Sequence, residues 1–356
     1  MAYTTIPKSS SYFDTKLYTQ TGSSNNGNTQ TITMDNANFV WIKNRSYTNG
    51  HCLFDILRGG DKNLATNGTG AQETVGGGLT FGSSDTTIGA DTGGYGFNNR
   101  TGDNYVAWHW KGGGSGSSNT DGSINTTYTS VDNTAGFSIS SYTGTGSNAT
   151  IGTGLTSKPA CVIIKNLTDG GTEWMIGHQG LATNAFSSNK YIHFNTATTS
   201  TNSSSWNSTE PTSNGIVSLG TGSYLNGSGK NYICYAFTGI QGYSKFGLYY
   251  GNGGNGQPFI YTGFKPAFII TRNVSSAVNW GMFDNKRNEF NVVQNVLLPD
   301  NSASETTGTA KYFDFLSNGF KVKNDSLQYN GGNEKHIYMA FGQSIVSTNG
   351  DIATAR

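Results

Sequence analysis

Phe39-Val40-Trp41-Ile42-Lys43-Asn44 occurs in three versions along this chain of 356 residues. The second is Cys161-Val162-Ile163-Ile164-Lys165-Asn166 and the third is Phe268-Ile269-Ile270-Thr271-Arg272-Asn273. Each copy is an apolar run, then a basic residue, then Asn. An internal repeat of this kind decides the architecture before any local reading does. The surrounding words repeat with it. Leu17-Tyr18-Thr19, Ser141-Tyr142-Thr143 and Leu248-Tyr249-Tyr250 lie upstream. Lys158-Pro159-Ala160 and Lys265-Pro266-Ala267 come immediately before the second and third copies. Downstream, Leu53-Phe54-Asp55-Ile56-Leu57-Arg58 answers Met282-Phe283-Asp284-Asn285-Lys286-Arg287, whereas the middle copy keeps only Trp174-Met175-Ile176.

Each unit closes on a similar stretch: Tyr105–Trp110, Tyr232–Phe237 and His336–Phe341. Side chains alternate between faces along a strand. Val106, Trp108 and Trp110, Ile233, Tyr235 and Phe237, and Ile337, Met339 and Phe341 therefore fall on one face, which reads as the core face of a sandwich. The opposite face is smaller, with Ala107, Cys234, Ala236 and Ala340. Short apolar strands punctuated by Gly, Asn and Ser predict an all-β fold, and no window carries a helical pattern with caps. The units span 12–111, 136–241 and 242–343, roughly 100–110 residues each and so domain-sized. Residues 1–11 form an N-terminal arm, Gly112–Ala135 a Gly/Ser-rich linker, and 344–356 a polar tail. Turns recur before the closing strands, at Asn99–Asn104, Asn226–Asn231 and Asn330–Asn333, where left-handed residues are expected. A second turn recurs as Ser213-Asn214-Gly215 and Ser317-Asn318-Gly319.

Charged residues make up 12% of the chain and the net charge is +1. That balance argues against nucleic acid, which demands clustered cations. No apolar run is long enough for a membrane helix, and the N-terminus shows no basic and apolar leader. Cys52, Cys161 and Cys234 lie in apolar strands and read as buried thiols made in a reducing cytoplasm.

The sequence offers no catalytic motif: no nucleophile elbow, no H-E-x-x-H, no phosphate loop. The five histidines lack ligand spacing, so neither metal nor cofactor is expected. The repeated Asp55-x-x-Arg58 and Asp284-x-x-Arg287 read as ion-paired turns. Most Trp residues fall in repeated strands and read as core. Trp206 lies in the polar stretch Asn202–Ser208 and is the candidate glycan contact, since aromatic faces pack on sugar rings.

The words Phe39–Arg45, Leu53–Gly59, Tyr105–Lys111, Tyr142–Gly146 and Gly242–Gly247 resemble repeats in virion proteins of marine tailed bacteriophages, of the tail-fibre or capsid-fibre type. The resemblance spans about 12–343. It implies three tandem jelly-roll-like (concanavalin-like) β-sandwich units in a non-enzymatic structural protein on the particle exterior. Such a protein would be a tail fibre or receptor-binding protein for host attachment. The alternatives are a capsid fibre or decoration protein, or a lectin-like glycan-binding module. The implied partners are other virion proteins, further copies in a homo-oligomer such as a trimer, and a host surface glycan. Localisation would be the virion.

Overall fold

A computed structural model describes residues 4–22, 27–182, 189–195, 199–201, 204–254, 257–307 and 312–344. The first repeat supplies β1 (Phe13–Thr19), β2 (Gln30–Thr33), β3 (Ala37–Asn44), β4 (Cys52–Asp55), β5 (Gly59–Leu64), β6 (Glu73–Thr74), β7 (Leu79–Phe81), β8 (Asp85–Ile88) and β9 (Asn104–Lys111). The second supplies β10 (Tyr128–Asp132), β11 (Phe137–Thr143), β12 (Ala149–Gly152), β13 (Cys161–Asn166), β14 (Met175–His178), β15 (Lys190–Ile192), β16 (Thr199–Thr201), β17 (Ile216–Leu219) and β18 (Asn231–Phe237). The third supplies β19 (Ser244–Tyr250), β20 (Phe259–Tyr261), β21 (Phe264–Asn273), β22 (Gly281–Asp284), β23 (Phe313–Leu316), β24 (Gly319–Val322) and β25 (Lys335–Ser344). The fold is all-β, and among the described residues the ladders are antiparallel and no sheet is closed.

Every repeat builds one larger and one smaller sheet. The larger sheets run β1-β9-β3-β4-β5-β6, β10-β11-β18-β13-β14-β15-β16 and β19-β25-β21-β22. The smaller ones run β2-β8-β7, β12-β17 and β20-β24-β23. The repeated stretch is the interior strand β3, β13 or β21, paired on one side with the closing strand and on the other with β4, β14 or β22. All eight residues of β3 are buried. A strand hydrogen-bonded on both edges and covered on both faces must be apolar almost throughout.

The two faces of these strands have different destinations. Val40, Ile42 and Ala107 of the first repeat, Val162, Ile164, Cys234 and Ala236 of the second, and Ile269, Tyr338 and Ala340 of the third pack against the smaller sheet of their own repeat, in three separate clusters. The face with the larger side chains does not. Phe39, Trp41, Trp108, Trp110, Ile163, Tyr235, Phe237, Phe268, Met339 and Phe341 join a single cluster drawn from all three repeats. The expected sandwich core is thus the small-residue face, and the large aromatic face is a junction among three sheets. The spaces between paired sheets hold rings too, Phe54 and Phe97 in the first repeat and Phe283, Phe313 and Phe320 in the third. The interior and closing strands therefore contribute mostly small side chains there, whereas at the junction among three sheets they supply the rings themselves. Trp110 and Phe341 meet edge-on at 5.6 Å, and Phe39 and Tyr235 lie 4.7 Å apart. Each such ring removed from water contributes roughly 1.5–3 kcal/mol.

Two segments depart from expectation. The Gly112–Ala135 stretch is no free linker. Its β10 pairs with β11 along the edge of the second larger sheet, Ser117 bridges Thr129, and Ile124 is buried against Ile151. Its hydroxyls serve as packing groups, with Thr129 and Ser140 side chains 3.0 Å apart, so composition alone reads as loop. The arm, over its described residues, lies on the body, with Ile6 in the shared core and a 3-10 turn at Ser9–Ser11. The tail beyond Ser344 lies outside the described residues.

The recurrent turns behave as their residues require. Gly102, Gly229 and Asn333 hold φ of 82°, 70° and 58° before β9, β18 and β25, values open to Gly and tolerated by Asn. The recurrent Tyr of β1, β11 and β19 is pinned alike. Tyr18, Tyr142 and Tyr249 donate to the carbonyls of Phe97, Leu225 and Tyr329. Tyr18 and Tyr142 stack on Tyr105 and Tyr232, and Tyr249 stacks on His336.

Candidate functional site

The polar side chains singled out in the sequence converge on the seams between repeats. In register, Leu53 of β4 opposes Leu64, Ile176 of β14 opposes Ile192, and Met282 of β22 bridges to Leu297. Two residues before each of the first set stands an N–H donor: His51, Trp174 or Trp280. One residue after each of the second set stands a carbonyl acceptor: Ala65, His193 or Leu298. The donors reach these acceptors in a different repeat. His51 Nε2 donates to Leu298 O at 2.9 Å, Trp174 Nε1 to Ala65 O at 3.0 Å, and Trp280 Nε1 to His193 O at 2.9 Å. The bonds run from the first repeat to the third, the second to the first and the third to the second. The chain therefore closes into a ring of three. His51 fits because Trp41 Nε1 donates to its Nδ1 at 2.8 Å, which leaves the proton on Nε2. Burial drives the His51 pKa well below 6.5, so the ring is neutral.

A second cyclic set explains the Asp-x-x-Arg turns. In both turns Asp Oδ1 accepts the backbone N–H two and three residues on, and Oδ2 pairs with the Arg side chain. Both carboxylates also face another repeat. Trp108 Nε1 donates to Asp284 Oδ2 at 3.1 Å, and Tyr235 OH donates to Asp55 Oδ2 at 2.7 Å. The position of Trp108 and Tyr235 in the third repeat is Met339, which has no donor. The position of Asp55 and Asp284 in the second repeat is His178, opposite Cys161 as the aspartates are opposite Phe39 and Phe268. His178 takes the Gly180 N–H on Nδ1 at 2.9 Å and donates Nε2 to Tyr338 O at 3.2 Å. The middle repeat lacks Asp-x-x-Arg because its partner offers nothing to a carboxylate; a neutral donor replaces it.

The basic residue of the repeated stretch is buried at each seam. Lys43 Nζ donates to Asn44 O at 2.7 Å, and Lys165 Nζ to Asn166 O and to Thr172 Oγ1 at 2.9 Å. Arg272 lies over the Trp280 ring at 5.4 Å. Burial lowers both lysines to about 8. The Asn that follows caps a turn, its Oδ1 accepting two backbone N–H groups in each repeat. No motif marks Glu305 in the sequence, yet it binds Arg45 of the first repeat and Arg287 of its own.

Trp206 is not a surface contact. It is 1% exposed, packed in the second repeat's own core, with Nε1 donating to Lys190 O at 3.2 Å. The polar residues around it report where the backbone turns, while the indole anchors that turn to the sheet. Trp41, Trp108, Trp110, Trp174 and Trp280 are buried as expected, and the three cysteines are buried free thiols. Burial lowers His109 and His178 to about 4 and raises Cys161 and Cys234 far above the usual thiol range. Among the described residues no group of His, Cys, Asp and Glu could hold a metal, and no helix is long and apolar enough to cross a membrane.

Solvent reaches each seam where the turn after β4, β14 or β22 meets the first strand of another repeat. A cleft of about 330 Å³ lies between Leu57, Arg58 and Gln72 on one side and Tyr128, Ser141 and Asn231 on the other. Its counterparts hold about 180 Å³ between Gln179–Gly180 and Gly247–Leu248, and about 150 Å³ between Asn285–Lys286 and Phe13–Asp14. The Arg58 guanidinium beside the first is turned inward, onto Asp55 and the carbonyls of Leu53 and Lys62, as Arg287 is turned onto Asp284 and the Met282 carbonyl.

A family model described as "Domain of unknown function (DUF7483)" matches residues 8–344. The chain belongs to the DUF7483 family. The match runs through all three repeats, so one copy of the family model spans the whole set. No curated protein matches the chain.

Proposed function

We propose that this DUF7483 chain is a non-enzymatic structural protein on the exterior of a tailed-bacteriophage particle, a tail fibre or receptor-binding protein that serves host attachment. In this reading each pair of sheets is a short jelly-roll-like unit. The observation that carries it is the closure of three repeats into one body by seam bonds and a common aromatic core. A ring of that kind is a rigid display platform. It turns the smaller sheets outward and spends its recurrent polar residues on holding the repeats together. The resemblance of the repeated words to phage fibre proteins supplies the setting. Because the large-residue face is used inside the chain, assembly with further copies or with other virion proteins would use the outer surfaces.

Purified particles from a phage that encodes this chain, imaged by cryo-electron microscopy and analysed by mass spectrometry, test the proposal. Density for the ring at the tail periphery is the expected result. Density on the capsid lattice would make it a capsid fibre or decoration protein instead, and particles without the chain would end the virion reading.

A further inference from the structure

The outward faces of the three smaller sheets are equivalent in construction and unlike in chemistry. In the first repeat this face carries Thr31, Thr33, Thr80 and Thr87. In the second it is covered by the chain around Ser123, which exchanges hydrogen bonds with Thr150. In the third it carries Phe259 and Tyr261, which are 48% and 53% exposed on either side of the buried Ile260.

These two rings are held, not merely left outside. Tyr261 is paired with Gly319 and Phe259 with Lys321. A Cβ on Gly319 would lie 2.9 Å from the Phe259 ring, so the glycine lets that ring lie flat across the sheet. Lys245 Nζ donates to Tyr261 O at 2.7 Å and stands 5.3 Å from the Tyr261 ring. Lys323 is paired with Asp314, whereas neither Lys245 nor Lys321 enters an ion pair among the described residues.

We propose that this face of the third repeat binds an anionic polysaccharide. Pyranose C–H faces stack on Phe259 and Tyr261, and Lys245 and Lys321 meet the carboxylates of the sugar residues. A nucleic acid strand would also use rings and cations, but it presents a phosphate at every step and requires a continuous basic track. Two lysines suit a sparser charge. The site stands on these residues alone and holds whether or not the chain is carried on a virion.

The test is affinity electrophoresis of the whole chain in native gels containing polygalacturonate, with dextran gels as the neutral control. Retardation by polygalacturonate, absent in dextran and weakened by salt, is expected. The Phe259→Ala/Tyr261→Ala double variant should weaken it at least about tenfold, a difference of about 1.4 kcal/mol, while still melting cooperatively, since neither ring belongs to the core of the third repeat. Lys321→Glu should weaken it too while leaving the aromatic face intact. No retardation by polygalacturonate, or equal retardation of wild type and both variants, would overturn the proposal. So would tighter binding of single-stranded oligo-dT than of polygalacturonate, or a dimer in sedimentation that the double variant abolishes.

Discussion

At the scale of single residues, the chemistry of this chain is matched in pairs across its seams. Asp55 has Tyr235 and Arg58, and Asp284 has Trp108 and Arg287. His178 has Tyr338 O, and Leu181 stands where an Arg would be needed. A carboxylate buried without a partner costs several kcal/mol, whereas the same group with a cation and donors is tolerated. His178→Asp should therefore destabilise the protein by about 3 kcal/mol or more, read as a shift of the urea midpoint. A variant as stable as the wild type would show that the loss of Asp-x-x-Arg in the middle repeat has another cause. The Asp-x-x-Arg turns are ion-paired, as their sequence suggested; what the sequence did not show is that each carboxylate also takes a donor from another repeat. These repeated polar motifs are the fastenings between repeats.

At the scale of elements, the strand built from hydroxyl residues is the clearest test. β10 lies in a stretch whose Gly and Ser content reads as flexible, yet Thr129 N donates to Ser117 O at 2.7 Å and β10 runs along β11. Hydrogen exchange should find the amides of 128–132 protected far beyond a free linker, where exchange is complete within seconds. Protection no greater than that of an unstructured peptide would remove β10 from the sheet. The recurrent turns, by contrast, were legible because Gly and Asn at left-handed positions are a local requirement that no distant contact changes.

At the scale of the whole molecule, the shared core makes the repeats interdependent. A fragment holding only residues 242–344 would expose Phe246, Phe268, Met339 and Phe341, all buried in the intact chain. It should aggregate or lack near-ultraviolet dichroism, whereas the full chain runs as a folded monomer or defined oligomer; a soluble, cooperatively melting fragment would contradict this. Stability should also depend on pH in a definite direction. Burial lowers His109, His178 and His336 to about 4 from an ordinary value of 6.5. Below pH 6.5 the unfolded chain binds protons that the folded chain refuses, so stability is greatest at neutral pH and falls as pH drops toward 4. Each group contributes on the order of 3 kcal/mol at the acid end. Denaturant midpoints flat between pH 7.5 and 4.5 would mean that these rings are solvated.

The sequence by itself determined the all-β class, the threefold repetition, the strand parity that separates large from small residues, and the turns. All of these follow from local periodicity and from the backbone demands of Gly and Asn. Only the tertiary structure decided what each face meets. Parity says that Trp108 and Tyr235 share a side with their strand neighbours, but not that the side faces other repeats. Trp108 and Asp284 are 176 positions apart, and Arg45 and Glu305 are 260 apart. Nothing in the local spacing links such residues. Trp206 shows the converse: polar neighbours set the exposure of a loop, and one large apolar ring reverses it by burying itself in the sheet beneath.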